Sequence, residues 1–124
     1  MYLDSAATGL KPRVVIDAIS DAYAQAPGSV HRGLHALSRT STEQFEEARG
    51  TVAHFLGVRE ASEVVFTRGT TDGVHLVAEG WAARHLESGD EILVTGLEHH
   101  SNLLPWRALC ARRGLELRVA PLRG

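Results

Sequence analysis

The 124-residue sequence has almost no cysteine or lysine and no long hydrophobic run. Cys110 is the only cysteine, which excludes an internal disulfide and a metal site built from cysteines alone, and it fits a reducing compartment. No apolar run approaches the roughly 20 residues that span a bilayer, and the N-terminus lacks the pattern of a secretion signal. We therefore expect a cytoplasmic protein that does not bind membranes.

The charge of the chain is nearly balanced. Thirteen basic and fifteen acidic side chains give a formal net charge of −2 with histidine neutral. Such a chain has no excess of positive charge for a phosphate backbone, so we expect no nucleic-acid partner. Lys11 is the only lysine, and all other basic residues are arginine. A reaction that needs a lysine amine must therefore use Lys11 or a lysine outside this chain.

The first half of the sequence predicts two helices joined by an irregular loop. Apolar residues recur at helical spacing near the N-terminus, and Pro27-Gly28 is expected to end the first helix. Residues 29–39 show no clean period and contain His31-Arg32-Gly33, so we expect a loop long enough to be functional. Thr40-Ser41-Thr42-Glu43 has the pattern of a capping box. It predicts that the second helix begins there, and Gly57 is expected to end it.

The second half alternates short β-branched or aliphatic runs with helical periods, which is the βαβ pattern of an α/β fold. Strands are predicted at residues 64–66, 92–94 and 115–120, with helices between them. No linker is long enough to separate independent folding units. We divide the chain into an N-terminal segment with two helices, residues 1–60, and the first part of a sheet domain, residues 61–124.

Gly69-Thr70-Thr71 lies where the first predicted strand turns into a helix. Free backbone N–H groups and two hydroxyls at the positive end of a helix dipole can bind phosphate. An ordinary threonine N-cap, worth about 1 kcal/mol, explains the same pattern without a ligand, and spacing alone favours that explanation. The complete patterns of nucleotide-binding loops are absent. An anion bound here need not be a nucleoside phosphate.

Glu98-His99-His100 follows the second predicted strand, at the edge where ligands of open α/β sheets bind. An imidazole at this edge can stack on a flat ligand or move protons. The alternative is that one histidine bonds a backbone carbonyl and the other faces water. We predict no metal site, because adjacent side chains diverge and no further ligands cluster with them.

Two other positions allow a functional and a structural interpretation. His31-Arg32 has the composition of a carboxylate-binding loop that recognises an amino acid or a neighbouring subunit, although a solvated loop explains it equally well. Cys110 lies on the apolar stripe of a predicted helix. We expect it to pack in the core rather than to react.

Four segments taken together resemble one enzyme family. In chain order they are Tyr2-Leu3-Asp4-Ser5-Ala6-Ala7, Val30-His31-Arg32-Gly33-Leu34-His35, Phe66-Thr67-Arg68-Gly69-Thr70-Thr71 and Glu98-His99-His100-Ser101-Asn102-Leu103-Leu104-Pro105-Trp106. Their order resembles the N-terminal third of the SufS-like (group II) cysteine desulfurases, which are class V aminotransferase relatives of pyridoxal-phosphate fold type I. The resemblance covers essentially the whole chain, and its second and fourth segments are specific to that branch.

The resemblance implies both a fold and a set of site residues. The fold is α/β, with an N-terminal helical segment followed by the first βαβαβ part of the large domain and an incomplete sheet. Thr70 and Thr71 would hold the phosphate of pyridoxal 5′-phosphate. His99 would stack on the pyridine ring and shuttle protons, and Asn102 would support the cofactor pocket. The residues implied at the substrate end and across a homodimer interface are Ala6, Ala7, His31 and Arg32.

The implied activity is the conversion of L-cysteine to L-alanine, in which a catalytic cysteine takes the sulfur as a persulfide and passes it to an acceptor protein. The lysine, aspartate and cysteine that the family uses for this chemistry match no position here, because Lys11 and Cys110 correspond to none of them. We therefore expect a truncated piece of such an enzyme that is inactive alone. The alternatives are another enzyme of the same class, such as a carbon–sulfur lyase or an epimerase, and a non-catalytic binding or dimerisation fragment.

The order of the sheet is a point on which general rules and the resemblance differ. Strands that follow one another in sequence are usually neighbours, which would pair residues 64–66 with 92–94. The implied fold instead pairs only the second and third strands, in parallel. It leaves residues 64–66 without a neighbour, so we expect the chain either to be poorly soluble or to move that strand beside the second.

Overall fold

A computed structural model describes residues 1–25 and 28–122, and the chain divides into two compact units, Met1–Val65 and Phe66–Gly124. The helices are α1 (Arg13–Gln25), α2 (Ala36–Leu56), α3 (Thr70–His75), α4 (Ala83–His85) and α5 (Leu104–Arg113), and the strands are β1 (Glu91–Thr95) and β2 (Glu116–Ala120). Short 3-10 turns span Ala61–Glu63 and His100–Asn102. None of the helices within these described residues has the length and hydropathy to cross a membrane.

Helix α2 begins at Ala36, so the prediction that it begins at the Thr40–Glu43 capping box is wrong. His35 caps the helix instead, because its Nδ1 accepts a hydrogen bond from the N–H of Ser38 at 3.3 Å. Ser38 is fully buried, and its hydroxyl donates to the carbonyl of Ser29. The helix start is therefore fixed by a contact to a distant loop residue, which no local pattern contains.

The other helix ends follow the sequence more closely. Gly57 ends α2 in the left-handed conformation, with φ 69°, and Gly114 ends α5 in the same way, with φ 68°. Both positions favour glycine because a side chain is strained at positive φ. The expected end of α1 at Pro27-Gly28 falls partly outside the described residues, since Pro27 is not among them.

Strands β1 and β2 pair in parallel, with Ile92 opposite Leu117 and Val94 opposite Val119. This confirms the pairing that the family resemblance implies. The α/β class and the incomplete sheet are confirmed too, since the described residues contain a single two-stranded sheet.

Residues 64–66 form no strand, so the prediction of a strand there is wrong. The N–H of Val64 donates to the carbonyl of Ala61 at 3.0 Å and closes the preceding 3-10 turn. Val65 is 64% exposed and Phe66 45% exposed. A strand exists only where a neighbour pairs with its backbone. Apolar residues alone did not provide that neighbour. Of the two outcomes expected for this segment, its move beside the second strand does not occur, and poor solubility stays a prediction.

The core of the second unit lies between the helical segments and the sheet. A π-helical stretch, Leu76–Ala82, joins α3 to α4 in the segment where the sequence predicts a helix. The guanidinium of Arg112 on α5 donates to both carboxylate oxygens of Glu79 in this stretch, at 2.9 and 2.8 Å. The buried core residues are Ala78, Ala82, Leu109, Cys110 and Leu115. Cys110 is thus a core residue, as predicted, and burial raises the pKa of its thiol.

The apolar face of α1 leads to a prediction about association. None of the thirteen residues of α1 is buried, and Ile16 and Ile19 are 44% and 53% exposed. Contiguous exposed apolar surface promotes association. We expect the purified chain to form oligomers in sedimentation velocity experiments, and Ile19→Glu to reduce them. Gln25→Glu adds the same charge to the same helix outside this face, and an equal effect of the two substitutions would contradict the prediction.

Candidate active site

The turn before α3 presents backbone donors to solvent. Gly69 has φ 156° and ψ 178°, a conformation essentially restricted to glycine. No side chain caps this helix end, and the first N–H groups of a helix have no acceptor within the helix. Thr70 and Thr71 are the first two helical residues, so the alternative that one of them serves as the N-cap is wrong.

A cleft of about 380 Å³ lies beside this turn, and it is lined by Arg68, Gly69, Thr71, Asp72 and His75. Asp72 is paired inside the cleft, because the backbone N–H and the guanidinium of Arg68 donate to its carboxylate at 3.2 and 3.4 Å. These two hydrogen bonds, the backbone one first, hold the pKa of Asp72 below its ordinary value. The cleft therefore combines the Thr71 hydroxyl and the uncapped helix start with an Arg68–Asp72 pair whose charges balance each other, and this set suits an anionic ligand.

A second cleft of about 270 Å³ adjoins the first and is lined by Thr71, His75, His99, His100, Ser101, Leu104 and Pro105. Thr71 and His75 line both clefts, and they lie four residues apart on one face of the helix. The structure thus brings Thr71 and His99 into one cleft, as their places in the sequence predict. Thr71 and His75 thus form a wall that is common to both clefts.

The ring of His99 has a defined orientation at the start of a 3-10 turn. Its Nδ1 accepts the N–H of Ser101 at 3.1 Å and lies 2.9 Å from the Ser101 hydroxyl oxygen. Because a backbone N–H can only donate, Nδ1 is the acceptor nitrogen and the neutral ring carries its proton on Nε2. His99 therefore caps this turn rather than bonding a backbone carbonyl, and its Nε2–H remains for a ligand.

Asn102 does not line either cleft but belongs to a chain of side-chain hydrogen bonds beneath the turn. Its Nδ2 donates to Glu98 Oε2 at 2.8 Å, and its Oδ1 accepts the indole N–H of Trp106 at 3.0 Å. The hydroxyl of Thr95 donates to Glu98 Oε1 at 2.8 Å. The hydrogen bonds from Asn102 and then Thr95 hold the pKa of Glu98 below its ordinary value, so Glu98 is a carboxylate near neutral pH. Asn102 thus ends the turn that follows His99 and lines neither of these two clefts.

The remaining site residues predicted from the sequence lie in the first unit. Ala6 and Ala7 are exposed in a turn in which the N–H of Ala7 donates to the carbonyl of Asp4 at 3.2 Å. The hydroxyl of Tyr2 closes the same segment, 2.7 Å from the carbonyl oxygen of Thr8. These bonds order the segment that the family resemblance places at the substrate end.

His31 adopts the left-handed conformation, with φ 60°, which is rare for a residue other than glycine. Its Nε2 lies 2.7 Å from Glu46 Oε1, and its backbone N–H donates to the Thr42 hydroxyl at 3.0 Å. Glu46 also accepts from Arg49, and this bond is the main cause that lowers the pKa of the Glu46 carboxyl. The structure thus fixes His31 against α2, whereas Arg32 is exposed beside it.

Sequence reasoning missed His75, which lines both clefts. The signal was available, because His75 follows Thr71 by four residues in a helical period and must share its face. No group of three or more potential metal ligands occurs in the part of the chain that the structure describes.

Comparisons with known proteins show which family the chain resembles. The chain matches the aminotransferase class-V family over residues 1–124. A cysteine desulfurase from Salmonella gallinarum is 50% identical over 98% of this chain, and the match covers 30% of that protein. The chain therefore spans about 30% of the length of the curated relatives that it matches.

Solved structures share the fold. The apo cysteine desulfurase from Thermococcus onnurineus NA1 superposes with a TM-score of 0.89 and 40% identity, over 100% of this chain and 30% of its own. The cystine C-S lyase C-DES, solved with its reaction product cysteine persulfide, superposes with a TM-score of 0.80 and 25% identity, over 98% of this chain and 30% of its own. The family match extends over every residue of the chain. The chain therefore belongs to the aminotransferase class-V family.

Proposed function

We propose that this chain provides the phosphate-binding and ring-binding part of a pyridoxal-phosphate-dependent cysteine desulfurase. The observation that carries the proposal is that Thr71 lines both the cleft at the uncapped helix start and the cleft that His99 enters. Relatives that are 50% and 49% identical to this chain over the 121 matched residues are cysteine desulfurases. A C-DES variant that superposes with a TM-score of 0.77 and 25% identity has glycine covalently linked to its PLP cofactor.

The donor set of the first cleft fits the phosphate of this cofactor. Gly69 opens the turn, no side chain caps the first helical N–H groups, and Thr71 lines the cleft with its hydroxyl. Thr70 lines neither cleft but is the first helical residue beside Thr71, and its hydroxyl would add a second donor. Phosphate accepts several hydrogen bonds and is favoured at the positive end of a helix dipole. The exposed guanidinium of Arg68 balances the charge of Asp72, so this carboxylate leaves no net negative charge against a phosphate. These residues would hold the phosphate without any lysine.

The second cleft fits a flat ring that exchanges protons. When bound, pyridoxal 5′-phosphate withdraws electrons from the bonds at the α-carbon of an amino acid. His99 would stack against it and move a proton at Nε2, because its Nδ1 is occupied by the N–H of Ser101. Asn102 would support this pocket from beneath, through Glu98.

The proposal extends to substrate, partners and location. The substrate is L-cysteine, the product is L-alanine, and the sulfur passes to an acceptor protein in the cytoplasm. Ala6 and Ala7 would face the substrate, while His31 and Arg32 would act across a homodimer interface. The interfacial proposal for Arg32 is supported by its exposed position beside an anchored His31.

A carbon–sulfur lyase is the second candidate, favoured by the superposition on C-DES. Both candidates use the same cofactor-binding residues and differ in the fate of the sulfur. The identity of 50% to a desulfurase against 25% to the lyase favours the desulfurase.

Phosphate binding can be tested with pyridoxine 5′-phosphate, which lacks the aldehyde and so reports on binding alone. We expect the double variant Thr70→Ala/Thr71→Val to bind it at least tenfold more weakly than the unchanged chain in calorimetric titrations. Two hydrogen bonds to a charged group are lost, each worth about 1.5–3 kcal/mol. Thr51→Val is the matched control, because Thr51 is an exposed threonine in α2 whose hydroxyl donates to the carbonyl of Glu47. Equal affinities for the three proteins, or no binding by the unchanged chain, would refute the proposed phosphate site.

A further inference from the structure

We propose that Glu98, Asn102 and Trp106 form a clasp that positions the ring of His99, with Glu98 and Asn102 as its two positioning residues. The clasp is defined here as the three side chains and the hydrogen bonds that join them. Its functional meaning depends on the proposed role of His99, but its structural action is a property of the chain itself. No catalytic contact is assigned to these three residues.

The clasp residues flank His99 along the chain. Glu98 precedes His99 directly, and Asn102 follows it by three residues. The side chains of Glu98 and Asn102 meet at 2.8 Å, and the backbone N–H of Asn102 donates to the carbonyl of His99 at 2.8 Å. The loop between them is therefore closed twice, once by backbone and once by side chains. Inside this closed loop the N–H of Ser101 reaches His99 Nδ1 and selects the Nε2–H form.

Both ends of the clasp are attached to regular structure. Thr95, the last residue of β1, donates to Glu98 at 2.8 Å. At the other end Trp106 lies in α5 and packs against the buried core cluster. The turn that carries His99 is thus held between the sheet and the core, although His99 itself is exposed.

The hydrogen bonds of the clasp run in one direction only. An indole N–H can only donate, so Asn102 must turn its Oδ1 toward Trp106 and its Nδ2 toward Glu98. Glu98 then serves as the acceptor for both Asn102 and Thr95. This hydrogen bond needs an acceptor at position 98 and a donor at position 102. Two paired substitutions can reverse the direction of the bond.

The test reverses the hydrogen bond between the side chains of Glu98 and Asn102. Asn102→Asp places two carboxylates against each other, and we expect the ring 15N signals of His99 to lose the pattern of a single Nε2–H form. The protection of the backbone N–H of residue 102 from hydrogen exchange should fall about tenfold, because the side-chain hydrogen bond to the charged Glu98 is lost. Glu98→Gln alone should behave like the unchanged chain, because its amide can accept from Asn102 and donate to Thr95.

The decisive variant is Glu98→Gln combined with Asn102→Asp, in which the amide at position 98 donates to the carboxylate at position 102. We expect it to restore both the His99 15N pattern and the exchange protection. General damage from Asn102→Asp would not be repaired by a second substitution that is neutral alone. A double variant no better than Asn102→Asp, or an Asn102→Asp chain with unchanged His99 signals, would overturn the proposal. The experiment needs no cofactor, so it stands apart from the pyridoxine 5′-phosphate titration.

Discussion

Incubated with pyridoxal 5′-phosphate and L-cysteine, this 124-residue chain is expected to release no alanine above the rate of the free cofactor. The reaction needs an amine to hold the cofactor and a thiolate to take the sulfur. Lys11 is the only lysine, and it lies in the exposed segment before α1. Cys110 is the only thiol, it is 6% exposed, and burial raises its pKa, so it offers neither access nor thiolate character.

Alanine is measured by chromatography, and borohydride reduction followed by peptide mapping locates any lysine adduct. We expect at most weak labelling of Lys11, equal to that of an exposed lysine in an unrelated protein. Lys11→Arg and Cys110→Ala are the matched variants, and neither should change the background rate. A stoichiometric adduct on Lys11 together with turnover that Lys11→Arg abolishes would prove the expectation wrong.

Elements whose residues bury an apolar face were predictable from the sequence. Helix α5 shows this, since Leu109 and Cys110 follow Trp106 by three and four residues and Gly114 follows as a left-handed cap. The parallel pairing of β1 and β2 required the family resemblance as well, because the general rule of sequential neighbours gave a different order. Local periodicity identifies an element, whereas its neighbour depends on the whole chain.

Elements defined by distant partners were not predictable. Residues 64–66 have the composition of a strand but lack strand pairing in this structure. The start of α2 depends on His35 and on a buried hydroxyl bonded to Ser29, so the capping-box pattern at Thr40 was misleading. In both cases the local signal was real, but a contact across the sequence decided the outcome.

The candidate site divides in the same way. Thr71 and His99 were expected in one cleft because each follows an expected strand, at the edge where ligands bind. They share the second cleft although residues 64–66 form no strand. The partners of Asn102 could not be foreseen, since they depend on how the turn folds between β1 and α5. His75 lies one helical turn after Thr71, outside the Gly69-Thr70-Thr71 pattern that predicted the site, although its spacing places it on the same face.

Replacing Leu109 by alanine is expected to lower the free energy of unfolding of the second unit by roughly 3 kcal/mol. Leu109 is completely buried, and it is the largest side chain with almost no exposure in a core that otherwise contains mostly small residues. Removing it leaves a cavity that alanine and cysteine neighbours are too short to fill. Since a domain is stable by only about 5–15 kcal/mol, this loss is a large share of the total.

Urea unfolding followed by tryptophan fluorescence measures this effect, because Trp106 packs against the same cluster. Leu97→Ala is the matched control, since it removes the same atoms from a side chain that is 76% exposed. The control should change the free energy of unfolding by less than about 0.5 kcal/mol. If the two substitutions shifted the urea midpoint equally, Leu109 would not be the centre of the core. A large shift for Leu109→Ala alone would show that the cluster beneath α5 stabilises the part of the chain that carries the clefts.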